Sequence, residues 1–270
     1  MVTGLTRLTQ VTGIAVARVH DLVELSPTAV IELCGQAAQD GASWVAESLD
    51  TSAWAVVRRA RPVHGHNVAV GVRGPLRHQR WGAEVPVSDI VRTLSPDDLA
   101  FRGVPRRHLP AFHALSLLQT PDARNLFPGP WGPGGSVGAE LAGGVESVHA
   151  KSDLDLVVRV AEVPDASALE AVARVVAAAG EKAGAQVDVL VETPRGGIHL
   201  AELLASAATG PAGAPASTGS AGSTGTPGST GSARSTGAPG STRSTGAPGG
   251  GAVVARTPDG PELLYPWGAS

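Results

Sequence analysis

Gly135-Ser136 and the later segment Ser152-Asp153-Leu154-Asp155-Leu156-Val157-Val158 decide the fold of this chain. The later segment is an apolar run that carries two acids two positions apart. Side chains of a β-strand alternate between its two faces, so both carboxylates leave the same face of the predicted strand. Leu154, Leu156 and Val158 then point into a core.

The two acids, Asp153 and Asp155, predict a metal site. Neighbouring carboxylates repel each other, and the pair is costly unless a cation lies between them. Mg²⁺ is a hard ion that accepts a few carboxylates and completes its shell with substrate phosphates. Paired metals of this kind can hold the attacking and the leaving oxygen of an in-line phosphoryl displacement. The alternative is a pair of solvent-exposed acids on a surface strand.

Gly135-Ser136 predicts a place for the phosphates. A Gly-Ser turn that opens a short helix, here over residues 137–141, offers free backbone N–H groups and a hydroxyl to a phosphate tail. The chain contains 35 glycines, so an ordinary turn is the alternative.

A third acid, Asp188, lies inside another short β-branched run at residues 186–191. The amphipathic pattern of residues 165–185 predicts a helix between the two runs, with Asp165 as its cap. The two strands would then be neighbours, and Asp188 would complete a three-acid metal site. A solvent-facing acid on an edge strand is the alternative.

With these motifs the chain resembles the nucleotidyltransferase superfamily typified by DNA polymerase β. More narrowly, it is similar to the malonate decarboxylase holo-[acyl-carrier-protein] synthases, also called phosphoribosyl-dephospho-CoA transferases. The resemblance runs from about residue 18 to the C-terminus, interrupted once. Its upstream motifs are His20-Asp21-Leu22 and residues 54–60, 70–74 and 77–81. Two departures stand out: Ala139 occupies a position where Trp is expected, and residues 143–147 lack an aromatic side chain.

The resemblance implies transfer of a phosphoribosyl-dephospho-CoA group from 2'-(5''-triphosphoribosyl)-3'-dephospho-CoA to a serine of the apo acyl-carrier subunit of malonate decarboxylase, with release of pyrophosphate. It implies that Asp153 and Asp155 bind Mg²⁺ and act in catalysis. Gly135 and Ser136 would hold the triphosphate, with Ser152 and Lys151 as further candidates for binding it. A plain surface role for Lys151 is the alternative.

Two other functions stay open. One is a different Mg²⁺-dependent nucleotidyltransferase that uses an ordinary NTP. The other is a non-catalytic assembly factor that binds the carrier subunit, although such a factor has no need for three carboxylates.

Composition narrows the class of protein. A formal net charge of −3 argues against a general nucleic-acid binder, which usually has a strongly basic face. The single cysteine, Cys34, rules out an internal disulfide framework and suits a reducing compartment. The chain lacks both a bilayer-length apolar run and a signal-peptide layout. We therefore expect a cytoplasmic protein with no membrane partner.

The predicted fold class is α+β: a small N-terminal α/β domain followed by a polymerase-β-type, nucleotidyltransferase-like domain with a mixed sheet. We predict an N-terminal domain at residues 1–125 and a catalytic domain at residues 126–270. Residues 207–251 are almost entirely Gly, Ser, Thr, Ala and Pro, which predicts a disordered insertion within the second domain. A closing hairpin is expected after it.

Arginines cluster around the predicted strands of the first domain. They form either a basic wall for a polyphosphate substrate or an acidic carrier protein, or a set of solvated surface charges. The cluster consists of Arg58, Arg59, Arg61, Arg73, Arg77 and Arg80.

Overall fold

The computed structural model describes residues 17–208 apart from Arg77 and Arg106, together with residues 252–264 and Pro266. The predicted insertion at residues 207–251 lies outside these described residues except for its first two positions, which belong to a helix.

The first part of the chain forms an antiparallel sheet of five strands in the order β4-β3-β2-β1-β5. Its elements are β1 (Leu22–Leu25), α1 (Pro27–Gln39), α2 (Trp44–Thr51), β2 (Trp54–Val57), β3 (Asn67–Arg73), β4 (Arg80–Pro86) and β5 (Ile90–Leu94). Helix α1 begins where the sequence predicts, because the Ser26 side chain accepts a hydrogen bond from the N–H of Ala29 at 3.1 Å and proline occupies the first helical position.

Alternation along β2 explains how this sheet is covered. Ala55 and Val57 face a first core, which lies between the sheet and its helices α1 and α2 and includes Leu33 of α1. Trp54 and Val56 face the opposite way, toward a second core. The first sheet therefore has one face for its own helices and one face for the rest of the molecule.

The second part of the chain forms a mixed sheet of six strands in the order β11-β10-β9-β8-β7-β6. Its elements are α3 (Pro96–Ala100), α4 (Pro110–Leu118), α5 (Pro121–Arg124), β6 (Trp131–Pro133), α6 (Gly135–Gly143), β7 (Leu154–Arg159), α7 (Ala166–Ala183), β8 (Val187–Thr193), β9 (Gly196–His199), α8 (Leu200–Ala208), β10 (Val253–Thr257) and β11 (Gly260–Leu264).

Helix α7 is the predicted amphipathic helix, and it makes β7 and β8 a parallel pair. The Asp165 carboxylate caps it by accepting a hydrogen bond from the N–H of Ala168 at 2.8 Å. Leu169, Val172 and Val176 form its buried stripe. A helical crossover lets two consecutive strands run side by side in the same direction. The structure pairs β7 with β8 in this way, so the predicted pairing is confirmed. The predicted closing hairpin is β10 and β11.

The chain passes from the first core to the second before helix α4. Phe112, Leu115 and Leu118 of α4 are fully buried in the second core, together with α7 and β7. The predicted domain boundary at 125/126 lies after this helix, whereas the packing changes from one core to the other between β5 and α3. The apolar side of α4 needs the larger second sheet to cover it, and a pattern of helical spacing carries no information about which sheet that is. The α+β class is confirmed. No helix in the described ranges has both the length and the apolar character needed to span a membrane.

One face of the second sheet is fastened to the first part of the chain. Arg159 at the end of β7 donates to the Asp21 carboxylate at 2.7 Å and to the Val19 carbonyl at 2.8 Å, with both charged side chains nearly buried. Beside it on β8, Glu192 pairs with Arg59. The motif at residues 20–22 thus contributes an anchor between the two cores.

Candidate active site

Helix α6 begins directly after β6, and its N-terminus lies against β7. The Gly134 N–H donates to the Asp155 carbonyl at 2.8 Å, and no side chain caps the helix. The N–H groups of its first turn are therefore available to an anionic ligand. The predicted Gly-Ser helix start is confirmed, and the helix is longer than residues 137–141.

Gly135 cannot be replaced without moving the site. Its φ is 55°, in the left-handed region that side chains rarely adopt. A Cβ atom at this position would overlap the Oδ2 atom of Asp155. The helix start and the Asp155 carboxylate are therefore in direct contact, which puts the uncapped N–H groups of the first turn beside a carboxylate.

Asp155 and Asp188 are directly opposite each other in the parallel pair β7–β8. Side chains opposite each other on neighbouring strands leave the same face of the sheet, so the structure brings these two carboxylates together. Asp153, the residue before β7, is exposed and close enough to Asp155 to repel its charge. The Gln186 amide donates to both oxygens of Asp188, at 3.2 and 3.1 Å.

The pKa of Asp155 is raised above the ordinary carboxyl value. The largest cause is desolvation by the surrounding protein, and repulsion from Asp188 and Asp153 adds to it. Arg73 and Arg80 of the first sheet act in the opposite direction and favour the ionised carboxylate. A cation bound between these carboxylates would stabilise their ionised form.

The donor set fits a hard divalent cation. Within the described ranges, no three side chains of His, Cys, Asp or Glu converge into a ready metal site. Mg²⁺ does not need such a cage, since it is usually bound by one or two carboxylates plus substrate phosphates. Asp153 and Asp155 would supply those carboxylates, with Asp188 adjacent, and the α6 N-terminus would hold the phosphates.

The loop between α6 and β7 is fixed by Glu140, a residue that sequence reasoning missed. Its buried carboxylate accepts hydrogen bonds from the N–H groups of Ser147 and Val148, both at 2.9 Å, and pairs with Arg107. Burial acts to raise the pKa of Glu140, but Arg107 and the two N–H groups hold it below its ordinary value. Glu140 is the one charged residue in the sequence of α6, and this isolated acid was the available signal that it has a structural partner.

Ser152 and Lys151 lie in the turn that leads into Asp153. The Ser152 hydroxyl accepts a hydrogen bond from the His149 N–H at 3.0 Å, and the Ser152 N–H donates to the His149 carbonyl at 2.9 Å. Ser152 therefore shapes the turn that delivers Asp153. Lys151 is exposed.

The structure separates the predicted arginine cluster into two groups. Arg59 pairs with Glu192, and Arg61 pairs with Asp259 at 2.5 Å, so their charges are already matched. Arg58, Arg73 and Arg80 have no ion-pair partner in the part of the chain that the structure describes. Arg77 lies outside the described residues.

Comparison with known proteins gives the family. Residues 18–96 match the N-terminal domain, and residues 99–211 the C-terminal domain, of the phosphoribosyl-dephospho-CoA transferase MdcG family. The chain belongs to this family. The two matched regions meet between residues 96 and 99, where the packing also changes from the first core to the second.

Three relatives named phosphoribosyl-dephospho-CoA transferase are 36–39% identical to this family member over the aligned residues. The protein of Pseudomonas aeruginosa is 37% identical over 166 residues, which cover 61% of this chain and 75% of the relative. A Pseudomonas putida protein is 39% identical over 186 residues, or 68% and 83% of the two chains. The Klebsiella pneumoniae protein is 36% identical over 193 residues, or 70% and 87%. No solved structure matches the transferase chain.

Proposed function

We propose that this transferase attaches the phosphoribosyl-dephospho-CoA prosthetic group to a serine of the apo acyl-carrier subunit of malonate decarboxylase, in the cytoplasm. The donor is 2'-(5''-triphosphoribosyl)-3'-dephospho-CoA. The observation that carries the proposal is the contact between the α6 N-terminus and Asp155, with Asp188 opposite. It combines a phosphate-binding helix start with the carboxylates that a phosphoryl transfer requires.

The reaction is a phosphoryl-group displacement. The serine hydroxyl oxygen of the carrier forms a bond to the α-phosphorus of the triphosphate, and the bond from that phosphorus to the bridging oxygen of pyrophosphate breaks. The bonding pair leaves with pyrophosphate, and the hydroxyl proton is lost to water. Mg²⁺ held by Asp153 and Asp155 would neutralise the negative charge that develops during the displacement.

The residues of this chain position the reactants. The first-turn N–H groups of α6, from Gly135 and Ser136, hold phosphate oxygens. Asp153 and Asp155 hold the cation, and Asp188 adds negative charge beside them. Glu140 and Ser152 keep the intervening loop in the shape that presents Asp153. On this account the second domain is nucleotidyltransferase-like, as its mixed sheet and carboxylate placement suggest.

The test is the intact mass of purified apo carrier subunit after incubation with the full chain, Mg²⁺ and triphosphoribosyl-dephospho-CoA. We expect a mass gain equal to the phosphoribosyl-dephospho-CoA group, and its loss when Mg²⁺ is omitted. Asp153→Ala should lower the rate by roughly 10³-fold, since ligation of the metal is worth several kcal/mol in the transition state. Its circular-dichroism spectrum and Tm should stay near wild type, because Asp153 is exposed.

Asp50→Ala is the matched control, because Asp50 is an exposed acid on α2. It should transfer the group at the wild-type rate. No mass gain, with a carrier that a known synthase does modify, would refute the proposed donor and acceptor. A gain only with an ordinary NTP would instead identify a different nucleotidyltransferase.

A further inference from the structure

Three arginines share the face of the first sheet that looks away from its own helices. Val56 is opposite Gly71, and Gly71 is opposite Gly82, so both glycines lie on the face of Val56. Two residues along the same strands, Arg73 and Arg80 are opposite each other and lie on this face too. The valines that alternate with them, such as Val72, are buried in the first core.

The two glycines make room for the third arginine. A Cβ atom on Gly71 would lie 3.1 Å from the Cγ and Cδ atoms of Arg58. A Cβ atom on Gly82 would overlap the Arg58 guanidinium. The Arg58 side chain therefore lies across the sheet, over positions that have no side chain, and its charge joins those of Arg73 and Arg80.

This arrangement is unfavourable without an anion. Like charges directly opposite each other on antiparallel strands destabilise the pair. Desolvation by the surrounding protein and the neighbouring Arg80 lower the pKa of Arg73, and together they outweigh the opposite effect of Asp155. Arg59 and Arg61 nearby have carboxylate partners, whereas no described carboxylate lies within ion-pair distance of Arg58, Arg73 or Arg80.

The arginine face is turned toward the candidate active site. Residues 155, 157 and 159 share one face of β7, and Arg159 on that face is bound to Asp21 of the first part of the chain. Asp155, at the other end of the same face, interacts electrostatically with Arg73 and Arg80. The cations and the carboxylates thus lie across from each other, between the two sheets.

We propose that Arg73 and Arg80, with Arg58 beside them, form the triphosphate-binding wall of the active site and hold the phosphates that leave as pyrophosphate. Guanidinium groups match the geometry of phosphate oxygens and keep their charge at any physiological pH. The first sheet then contributes directly to substrate binding, and the site is complete only where the two sheets meet. This inference rests on the proposed function for the identity of the triphosphate.

The test measures binding of inorganic tripolyphosphate to the full chain by titration calorimetry, without carrier or nucleotide. Arg73→Gln and Arg80→Gln should each weaken binding about ten-fold, as expected for the loss of one charged hydrogen-bonding partner. Arg73→Lys keeps the charge but loses the planar guanidinium, so it should weaken binding less than Arg73→Gln does. Arg174→Gln, which removes the same charge from the exposed surface of α7, should bind as wild type does.

Folding is checked on the same samples. Removing one of two opposed arginines relieves repulsion, so the Tm of Arg73→Gln and Arg80→Gln should equal or exceed that of wild type. Wild-type affinity of both variants for tripolyphosphate would overturn the proposal. So would a loss of affinity for the apo carrier protein alone, since the face would then be a carrier-binding surface.

Transfer assays separate this inference from the proposed function. If wild type transfers the group, and both Gln variants do so with the same rate and KM, the proposed function is upheld and the arginine wall is overturned. Absence of transfer by wild type, with tripolyphosphate binding lost in the variants, would refute the function and leave an anion site in place.

Discussion

The backbone of Gly135 lies directly against the carboxylate of Asp155, so that any side chain at position 135 would overlap Oδ2 of the acid. This contact joins the start of a helix to the strand that carries the acids. It fixes the distance between the N–H groups that would hold phosphate and the oxygens that would hold the cation. The relationship makes Gly135 a part of the site although it has no functional group.

Gly135→Ala should therefore reduce transfer by more than about ten-fold, since a displaced carboxylate loses more than about 1.4 kcal/mol of transition-state stabilisation. The left-handed backbone alone should cost roughly 1–2 kcal/mol of folding stability. Gly184→Ala is the control: its φ is 70°, and a Cβ there would meet nothing within 4 Å. If the two variants lost the same small amount of activity, the contact with Asp155 would have no catalytic role.

Mg²⁺ should raise the Tm of wild type in the presence of pyrophosphate. A ligand that binds only the folded state stabilises it by about 2.7 kcal/mol at 100 times its Kd. Asp153→Asn and Asp155→Asn should abolish the shift, because each removes one oxygen donor. Differential scanning fluorimetry over a Mg²⁺ series measures it, with Asp50→Asn as the control that keeps the shift. An equal shift in all four proteins would show that the cation binds elsewhere.

Much of this site follows from the sequence. The alternation of acids with Leu154 and Leu156 predicts one face for the carboxylates, and the Asp165 cap predicts the crossover that puts Asp188 beside them. These are local patterns, and they survive folding because each element buries its own apolar side. The pairing of Asp188 with Asp155 needed only the further assumption that consecutive strands are neighbours.

The rest depends on contacts between distant parts of the chain. Nothing near Arg59 in the sequence indicates that Glu192 neutralises it, whereas Arg73 and Arg80 remain unmatched among the described residues. The burial of Glu140 similarly depends on Arg107, which is on another loop. The sequence shows that arginines cluster in this region. Only the packing of one sheet against the other shows which of them form ion pairs and which do not.

The raised pKa of Asp155 leads to a prediction about pH. Its pKa in the folded protein lies above the unfolded value, so the folded state holds the proton more firmly than the unfolded chain does. As pH rises through the folded pKa, ionisation of Asp155 costs stability, because the carboxylate is desolvated by the surrounding protein and lies beside Asp188 and Asp153. Asp155→Asn removes that cost, and without Mg²⁺ it should be more stable than wild type at neutral pH.

The gain should disappear below the ordinary carboxyl pKa, where Asp155 is protonated in both the folded and the unfolded state. Tm values of wild type and Asp155→Asn between about pH 3 and 8, in EDTA, measure the difference. A variant that is less stable than wild type at neutral pH would mean that attraction to Arg73 and Arg80 outweighs the repulsion.

The anchor between the two cores gives the last prediction. Arg159 and Asp21 have side-chain exposures of 9% and 5%, so the pair is almost fully removed from water. Asp21→Asn keeps the shape but removes the nearer of the two carboxylates around Arg159 and leaves only Asp97, 3.7 Å away. The loss should lie toward the lower end of the roughly 3–5 kcal/mol that breaking a buried ion pair costs. The Arg92–Glu24 pair is the comparison, because its side chains are 50% and 32% exposed and its loss should cost less than about 1 kcal/mol.

Urea denaturation of Asp21→Asn and Glu24→Gln measures both free energies of unfolding. We expect Asp21→Asn to lower transfer activity as well, because Arg73 and Arg80 face the carboxylates only while the first sheet stays fastened to the second. Tripolyphosphate affinity should fall with it. Equal, small losses of stability in both variants would show that apolar contacts such as Trp54 with α6 hold the two sheets together without help from the ion pair.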